Sequence, residues 1–226
     1  MVEHYCGIRN RIARYSLQNC VANQDKVMNL NAELIAAFIA FAFVSSITPG
    51  PNNLMLMASG ANFGFRRTVP HMLGVGLGFS LMVALVGVGL VQVFDTYPVS
   101  YTVLKVVSIA YLLYLASKIA TAAAPDHNGA GGQPLTFLQA AAFQWVNPKG
   151  WAMALTAVTV YAPSRDLEAV LLIAVLFGVV NLPSVSSWTV LGQQMQRFLT
   201  LPWRLRAFNM GMAVLLLGSL VPLLTL

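Results

Sequence analysis

Two apolar segments in this chain are too long to cross a bilayer once as straight helices, and each carries a helix breaker near its middle. Residues 32–64 run from AELIAAFIAFAFVSS through ITPGPNNLM into LMLMASGANFG, with Pro49, Gly50 and Pro51 at the centre. Residues 135–162 hold the second, interrupted at Asn147 and Pro148. At about 1.5 Å per residue these would be helices of roughly 50 and 42 Å, against hydrocarbon about 30 Å thick. Four further apolar segments, 69–94, 99–122, about 167–191 and 204–226, are each close to one span.

The bilayer is the solvent that composition requires. The chain is 58% hydrophobic and 9% charged, with mean hydropathy +0.71. Soluble domains carry about 25% charged residues. The net charge of +6 comes from 13 Lys and Arg against 7 Asp and Glu. These basic residues are thinly spread between apolar runs, so they read as a topology signal and not as a nucleic-acid footprint. Cys6 and Cys20 both lie in the polar N-terminal stretch, and His4, His71 and His127 are far apart. No CxxC, Cys/His cluster or HExxH is present, so neither a zinc site nor any other cofactor is expected.

The polar Gly/Pro stretch AAPDHNGAGGQP, residues 123–134, splits the membrane part into halves 31–122 and 135–226. Each half opens with a broken long segment and continues with two ordinary ones. Three spans per half would make the halves enter the membrane in opposite senses. The expected fold is therefore an all-α membrane protein of six transmembrane helices, arranged as two inverted three-helix repeats with broken first and fourth helices. Prolines are tolerated in membrane helices, so one break alone would carry little weight; two in corresponding places carry more.

Charge bias orients this arrangement. Arg66, Arg67, Lys118, Arg197, Arg204 and Arg206 fall on one side, against Arg165 and the slightly recessed Lys105 on the other. The first set is expected in the cytoplasm and Leu226 outside. Residues 1–30, with Arg9, Arg11, Arg14 and Lys26, form a polar basic tail with no apolar region typical of a secretory signal. The tail's charge conflicts with that topology, which favours translation beginning at Met28; a basic interfacial segment is the other reading.

The breaks carry the chemistry. Unpaired backbone groups in lipid cost several kcal/mol each, so a broken helix must be buried or line a wet cavity. Pro51 and Pro148 suit the first turn of a new helix, and Asn147 suits an N-cap. Both breaks read as fresh helix N-termini inside the membrane, where free N–H groups and the positive dipole end favour a carboxylate. Lys149 follows at once. Glu33, Asp95, Asp166 and Glu168 all lie near span ends, so Lys149 has no acidic partner in sight. It either adds to the anion site, faces a water cavity or snorkels. The candidate substrate-binding residues are Pro49, Gly50, Pro51, Asn52, Asn53, Gln144, Asn147, Pro148, Lys149 and Asn181. Asn181 with Pro183 reads as a third kink or an interhelical hydrogen bond, and Ser80 and Ser108 are weaker candidates. The pairs Gly60/Gly64 and Gly74/Gly78 are read as close packing within the bundle, which leaves the oligomeric state open.

The runs ITPGPNNLMLMASGANFGFRRTVPHMLGVGLG and QWVNPKGWAMAL resemble the LysE/RhtB family of amino-acid exporters over essentially residues 29–226. The resemblance implies a six-helix exporter of amino acids or close derivatives in the inner membrane, driven by the proton gradient. By position it points to Pro49, Gly50, Pro51, Asn52, Asn147, Pro148 and Lys149. With no buried carboxylate to hold a basic side chain, a neutral amino acid or its lactone is expected as substrate in preference to lysine. The usual carboxylate relay for protons is also missing, which leaves Lys149 and His71 as the titratable groups near a pathway. A thiol–disulfide carrier would need cysteines in the spans, a metal exporter would need acidic, His or Cys ligands there, and an enzyme would need a nucleophile–base pair. A non-transporting structural or assembly subunit is the remaining alternative, and it would not need two matched polar breaks.

Overall fold

The computed structural model describes residues 32–90, 92, 96–97, 99–122, 133–162 and 166–221. The basic tail, with Cys6, Cys20, His4 and Met28, lies outside the described residues, as do Asp95, His127, Arg165 and Leu226. Contacts divide the chain into two units, Met1–Ala40 and Phe41–Leu226. In the first unit, residues 32–40 are described and helical.

All the regular structure described is helical. Helix α1 covers Ala32–Ile47, and α2, Pro51–Phe63, leaves it at a bend of 54°. Helix α3 is Phe65–Leu85 and continues as a π turn over Val86–Leu90. Helix α4 is Val99–Ala120 and α5 is Phe137–Phe143. A 3-10 turn at Gln144–Val146 leads into α6, Pro148–Tyr161. Helix α7 is Leu167–Met195, and α8 is Pro202–Gly218.

Local sequence explains most of these limits. Pro51, Pro148 and Pro202 each sit in the first turn of a helix, where no N–H is needed. Thr136 and Gln139 close a reciprocal capping box on α5, and Asp166 accepts from the Ala169 N–H at 2.8 Å to cap α7. Gly64 joins α2 to α3 at φ 78°, a backbone conformation that a side chain disfavours. Helix α7 runs through Pro183 without interruption, so the kink expected there does not divide the helix.

Among the described residues, Phe65–Leu90, Val99–Ala120 and Leu167–Met195 are long and apolar enough to cross a membrane, or up to four spans if α1 and α2 count as one bent crossing. The six spans read from sequence are not reached by this measure. The fourth apolar segment is divided into helices of 7 and 14 residues, and α8 has 17 residues, about 26 Å of helix.

Within the second unit, α2 packs on α7, α3 on α5 and α7, and α4 on α8. Glycine sets the closest approach. A methyl group on Gly60 would overlap the Thr189 carbonyl oxygen, and one on Gly192 the Met57 carbonyl oxygen, so the α2 and α7 backbones touch. Gly74 and Gly78 lie equally close to α5, at Phe137 and Ala141. Gly60, Gly74 and Gly78 thus serve packing inside the protein. A core of Met55, Leu112, Leu115, Phe143 and Leu216 joins α2, α4, α5 and α8. Leucine and valine side chains such as Leu77, Leu81, Val106, Leu138, Val175 and Val214 are exposed on the outer faces, as a lipid solvent allows.

Candidate functional site

Bending α1 away from α2 strands the last carbonyls of α1, and these must find donors. Six in succession do. The Val44 carbonyl accepts from the Thr48 N–H at 3.1 Å, and the Ser45 carbonyl from Thr48 Oγ1 at 3.0 Å. Asn53 Nδ2 donates to the carbonyls of Ser46 at 2.7 Å and Thr48 at 2.8 Å. Trp188 Nε1, on α7, donates to the Ile47 carbonyl at 3.0 Å. Lys149 Nζ completes the set. It donates to the Thr48 carbonyl at 2.7 Å, to Thr48 Oγ1 at 2.9 Å and to the Pro49 carbonyl at 3.5 Å.

Lys149 therefore has a partner that the sequence did not reveal. In place of a carboxylate, it binds the negative end of the α1 dipole, where a cation is stabilised. The lysine of the second break thereby closes the first. Its side chain also packs on Gly50, where an added Cβ would lie 2.7 Å from the Lys149 Cδ.

A second bond joins the breaks. Asn52 Nδ2 donates to Gln144 Oε1 at 2.8 Å, and Gln144 Nε2 returns a bond to Asn52 Oδ1 at 3.2 Å. Gln144 is fully buried and also donates to the Ala140 carbonyl at 2.8 Å. Asn147 occupies the N-cap position of α6 with φ −92° and ψ 106°, yet its side chain makes no capping bond. Gly50, at the N-cap of α2, has no side chain to make one. Neither half-helix start has a side-chain cap on its leading N–H groups.

The breaks face a common cavity of about 20 Å³, room for about one water molecule. Gly50, Asn52, Asn53, Asn147, Lys149 and Asn181 line it. Gln144 stands behind Asn52, and Pro51 and Pro148 start the two half-helices. Pro49 offers only its carbonyl. Ser80 and Ser108 are not on this wall; Ser108 donates to the Leu104 carbonyl of its own helix at 2.6 Å. Ser46 and Trp188 were missed by sequence reasoning. Nothing in a helical serine or an apolar-flanked tryptophan marks a partner on a distant helix.

Another cavity, of about 240 Å³, adjoins α2, α3 and α4. His71 and Lys118 are on its wall. His71 is buried, and neither ring nitrogen has a hydrogen-bond partner. A buried amide pair stands at one edge, also unmarked in the sequence. Asn62 Nδ2 donates to Asn209 Oδ1 at 2.8 Å and Asn209 Nδ2 to Asn62 Oδ1 at 3.1 Å; Asn209 also donates to the Ala122 carbonyl at 2.9 Å. Among the described residues no group of His, Cys, Asp and Glu could hold a metal ion.

Comparison with known proteins gives a consistent result. The family model described as LysE type translocator matches residues 43–225. A cysteine/O-acetylserine efflux protein of Salmonella choleraesuis (strain SC-B67) is 31% identical over 169 residues, 73% of this chain and 85% of the relative. The cysteine/O-acetylserine efflux protein of Escherichia coli (strain K12) is 30% identical over the same share of each chain. No solved structure matches.

Proposed function

Because this chain belongs to the LysE type translocator family, we propose that it is a secondary-active exporter of small neutral amino acids or close derivatives, of the kind of cysteine and O-acetylserine. The family is one of transporters and not of enzymes, and the chain is a multi-pass membrane protein of the bacterial inner-membrane type. The observation that carries the substrate reading is the meeting of two helix breaks, about 100 residues apart, on one polar cavity.

In this reading the six apolar segments are six spans, and residues 31–122 and 135–226 are the inverted halves. The substrate carboxylate binds at the two uncapped half-helix N-termini, at Pro51–Asn53 and Asn147–Lys149, where N–H groups and dipoles favour an anion. Lys149 adds its positive charge from beside the site while it ties Thr48. The cavity in this conformer is too small for an amino acid; transport opens the Lys149–Thr48 and Asn52–Gln144 links. The driving force is the proton gradient. His71 and Lys149, titratable side chains on the walls of the two cavities, carry the proton through the membrane interior; Lys118, also on the second wall, lies in the last turn of α4.

Everted membrane vesicles test this reading. Labelled O-acetylserine is expected to accumulate in them when a proton gradient is imposed and to stop when it is collapsed. No accumulation of O-acetylserine, cysteine or other neutral amino acids would overturn it. The orientation is tested separately. A reporter fused after Leu226 is expected to be active outside the cytoplasm, and cytoplasmic activity would reverse the topology.

A further inference from the structure

Among the described residues, five buried side-chain nitrogen or oxygen atoms have no hydrogen-bond partner, and all five belong to residues on the walls of these two cavities. Two are the His71 nitrogens. The other three are oxygens: Ser46 Oγ, Asn147 Oδ1 and Asn181 Oδ1. They come from α1, from the second break and from the middle of α7, and all three residues line the central cavity. A buried polar atom left without a partner is costly, so such atoms are rare and call for an explanation.

Ser46 departs from its neighbours. Helical hydroxyls nearby bond to a carbonyl one turn back, as Ser45 does to Ala42 and Thr189 to Val185. Ser46 does not, although it is equally helical and only 5% exposed. Asn147 is at an N-cap position, and its oxygen leaves the cap unmade. Asn181 sits two turns before Trp188 on a helix that continues past Pro183. The three oxygens accept hydrogen bonds, and two donors on the same cavity wall, Lys149 Nζ and Asn53 Nδ2, are spent on the carbonyls around the end of α1.

We propose that Ser46, Asn147 and Asn181 form a subsite for the α-ammonium group of the transported amino acid. An ammonium group brings three N–H donors to three acceptors. The cavity, about 20 Å³, has room for a group of that size and for nothing larger until the site opens. The subsite rests on the exporter reading above and completes it. The half-helix N-termini take the carboxylate, the acceptor trio takes the ammonium group, and a zwitterion is distinguished from a plain carboxylic acid.

The test uses the full chain, purified and reconstituted in proteoliposomes, with labelled O-acetyl-L-serine as the transported probe. Transport by the wild-type protein is the first measurement; its absence would remove the exporter reading itself. Competition by unlabelled O-acetylserine is then compared with competition by 3-acetoxypropanoate, which lacks the amino group. The deaminated compound is expected to compete about tenfold or more weakly, as loss of charge-assisted hydrogen bonds predicts. In Ser46→Ala and Asn181→Leu that gap should shrink to about twofold or less, with the protein still inserted, since both changes make the chain more apolar. Asn181→Asp should preserve or widen the gap, because a carboxylate still accepts from an ammonium group. Equal competition by both compounds in the wild type would overturn the subsite. So would a gap unchanged in Ser46→Ala and Asn181→Leu, the result expected if a bound water merely satisfies these oxygens. A requirement for sodium over choline in the wild type that disappears in the two variants would assign the oxygens to a metal cation instead, and would also overturn it.

Discussion

The half-helices that follow the two breaks begin alike and end up in different surroundings. Helix α2 starts at Pro51 and buries ten of its thirteen residues; α6 starts at Pro148 and buries only Gly150, Ala154, Ala157 and Val158 of its fourteen. Helix α2 lies against the α7 backbone through Gly60 and Gly192, whereas an added Cβ on Gly150 would meet nothing closer than 3.5 Å. Their chemistry divides as well. The first break leaves carbonyls that need donors, and the second supplies Lys149 and Gln144, both of which reach across to it. The two breaks are therefore complementary, with one half-helix buried in the core and the other more exposed. The more exposed half carries Lys149, the link between the breaks.

That contrast makes ordered predictions. The largest effect is expected where α2 has no room. Gly60→Ala or Gly192→Ala forces a methyl group into a backbone carbonyl, an overpacking cost of about 1–3 kcal/mol or more, and membrane abundance should fall several-fold. Gly150→Ala, in the first turn of α6, should leave abundance unchanged. Comparable losses from all three would end the distinction between a tightly and a loosely packed half-helix, and quantitative blotting of membranes reads it directly.

Next is Lys149→Met. It removes charge-assisted bonds worth about 1.5–3 kcal/mol while sparing the insertion cost of a lysine, about 2.5–3.5 kcal/mol at mid-membrane. Transport in vesicles should drop about tenfold or more at equal or higher abundance. Normal transport by this variant would show that the link has no role. Asn52 and Gln144 come third. A double-mutant cycle of Asn52→Ala and Gln144→Ala, followed by thermal unfolding in detergent, should give a coupling of about 0.5–3 kcal/mol, the range for contacting residues. Strict additivity would separate the breaks. Asn52→Asp should transport less than Asn52→Ala, because it sets a negative charge beside Gln144 Oε1 and against an anionic substrate.

The smallest stability effect belongs to Asn147→Ala. A true N-cap is worth about 0.5–2 kcal/mol, but this side chain makes no capping bond, so its removal should change stability by less than about 0.5 kcal/mol. Its effect should appear in transport. A clear loss of stability would mean that Asn147 does cap α6 under the conditions of measurement.

Where the helices break was legible in the sequence, because proline and glycine act on their own backbone and need no distant partner. ITPGPNN ended α1 and opened α2, NPK opened α6, and the family likeness carried by those runs is the family shown. The close packing at Gly60, Gly74 and Gly78 was legible for a similar reason, since small residues one turn apart describe a single helix face; Gly64, read as the partner of Gly60, instead turns the chain between α2 and α3 at φ 78°. Partners were not legible. Lys149 is 101 residues from Thr48, Asn52 is 92 from Gln144 and Trp188 is 141 from Ile47. Sequence could show that Lys149 lacked a nearby carboxylate, but not that carbonyls freed by a break in another helix would replace one. The unbonded oxygens of Ser46, Asn147 and Asn181 are further still from a sequence pattern. A hydrogen bond left unmade depends on every surrounding group at once, and only tertiary packing decides which groups those are.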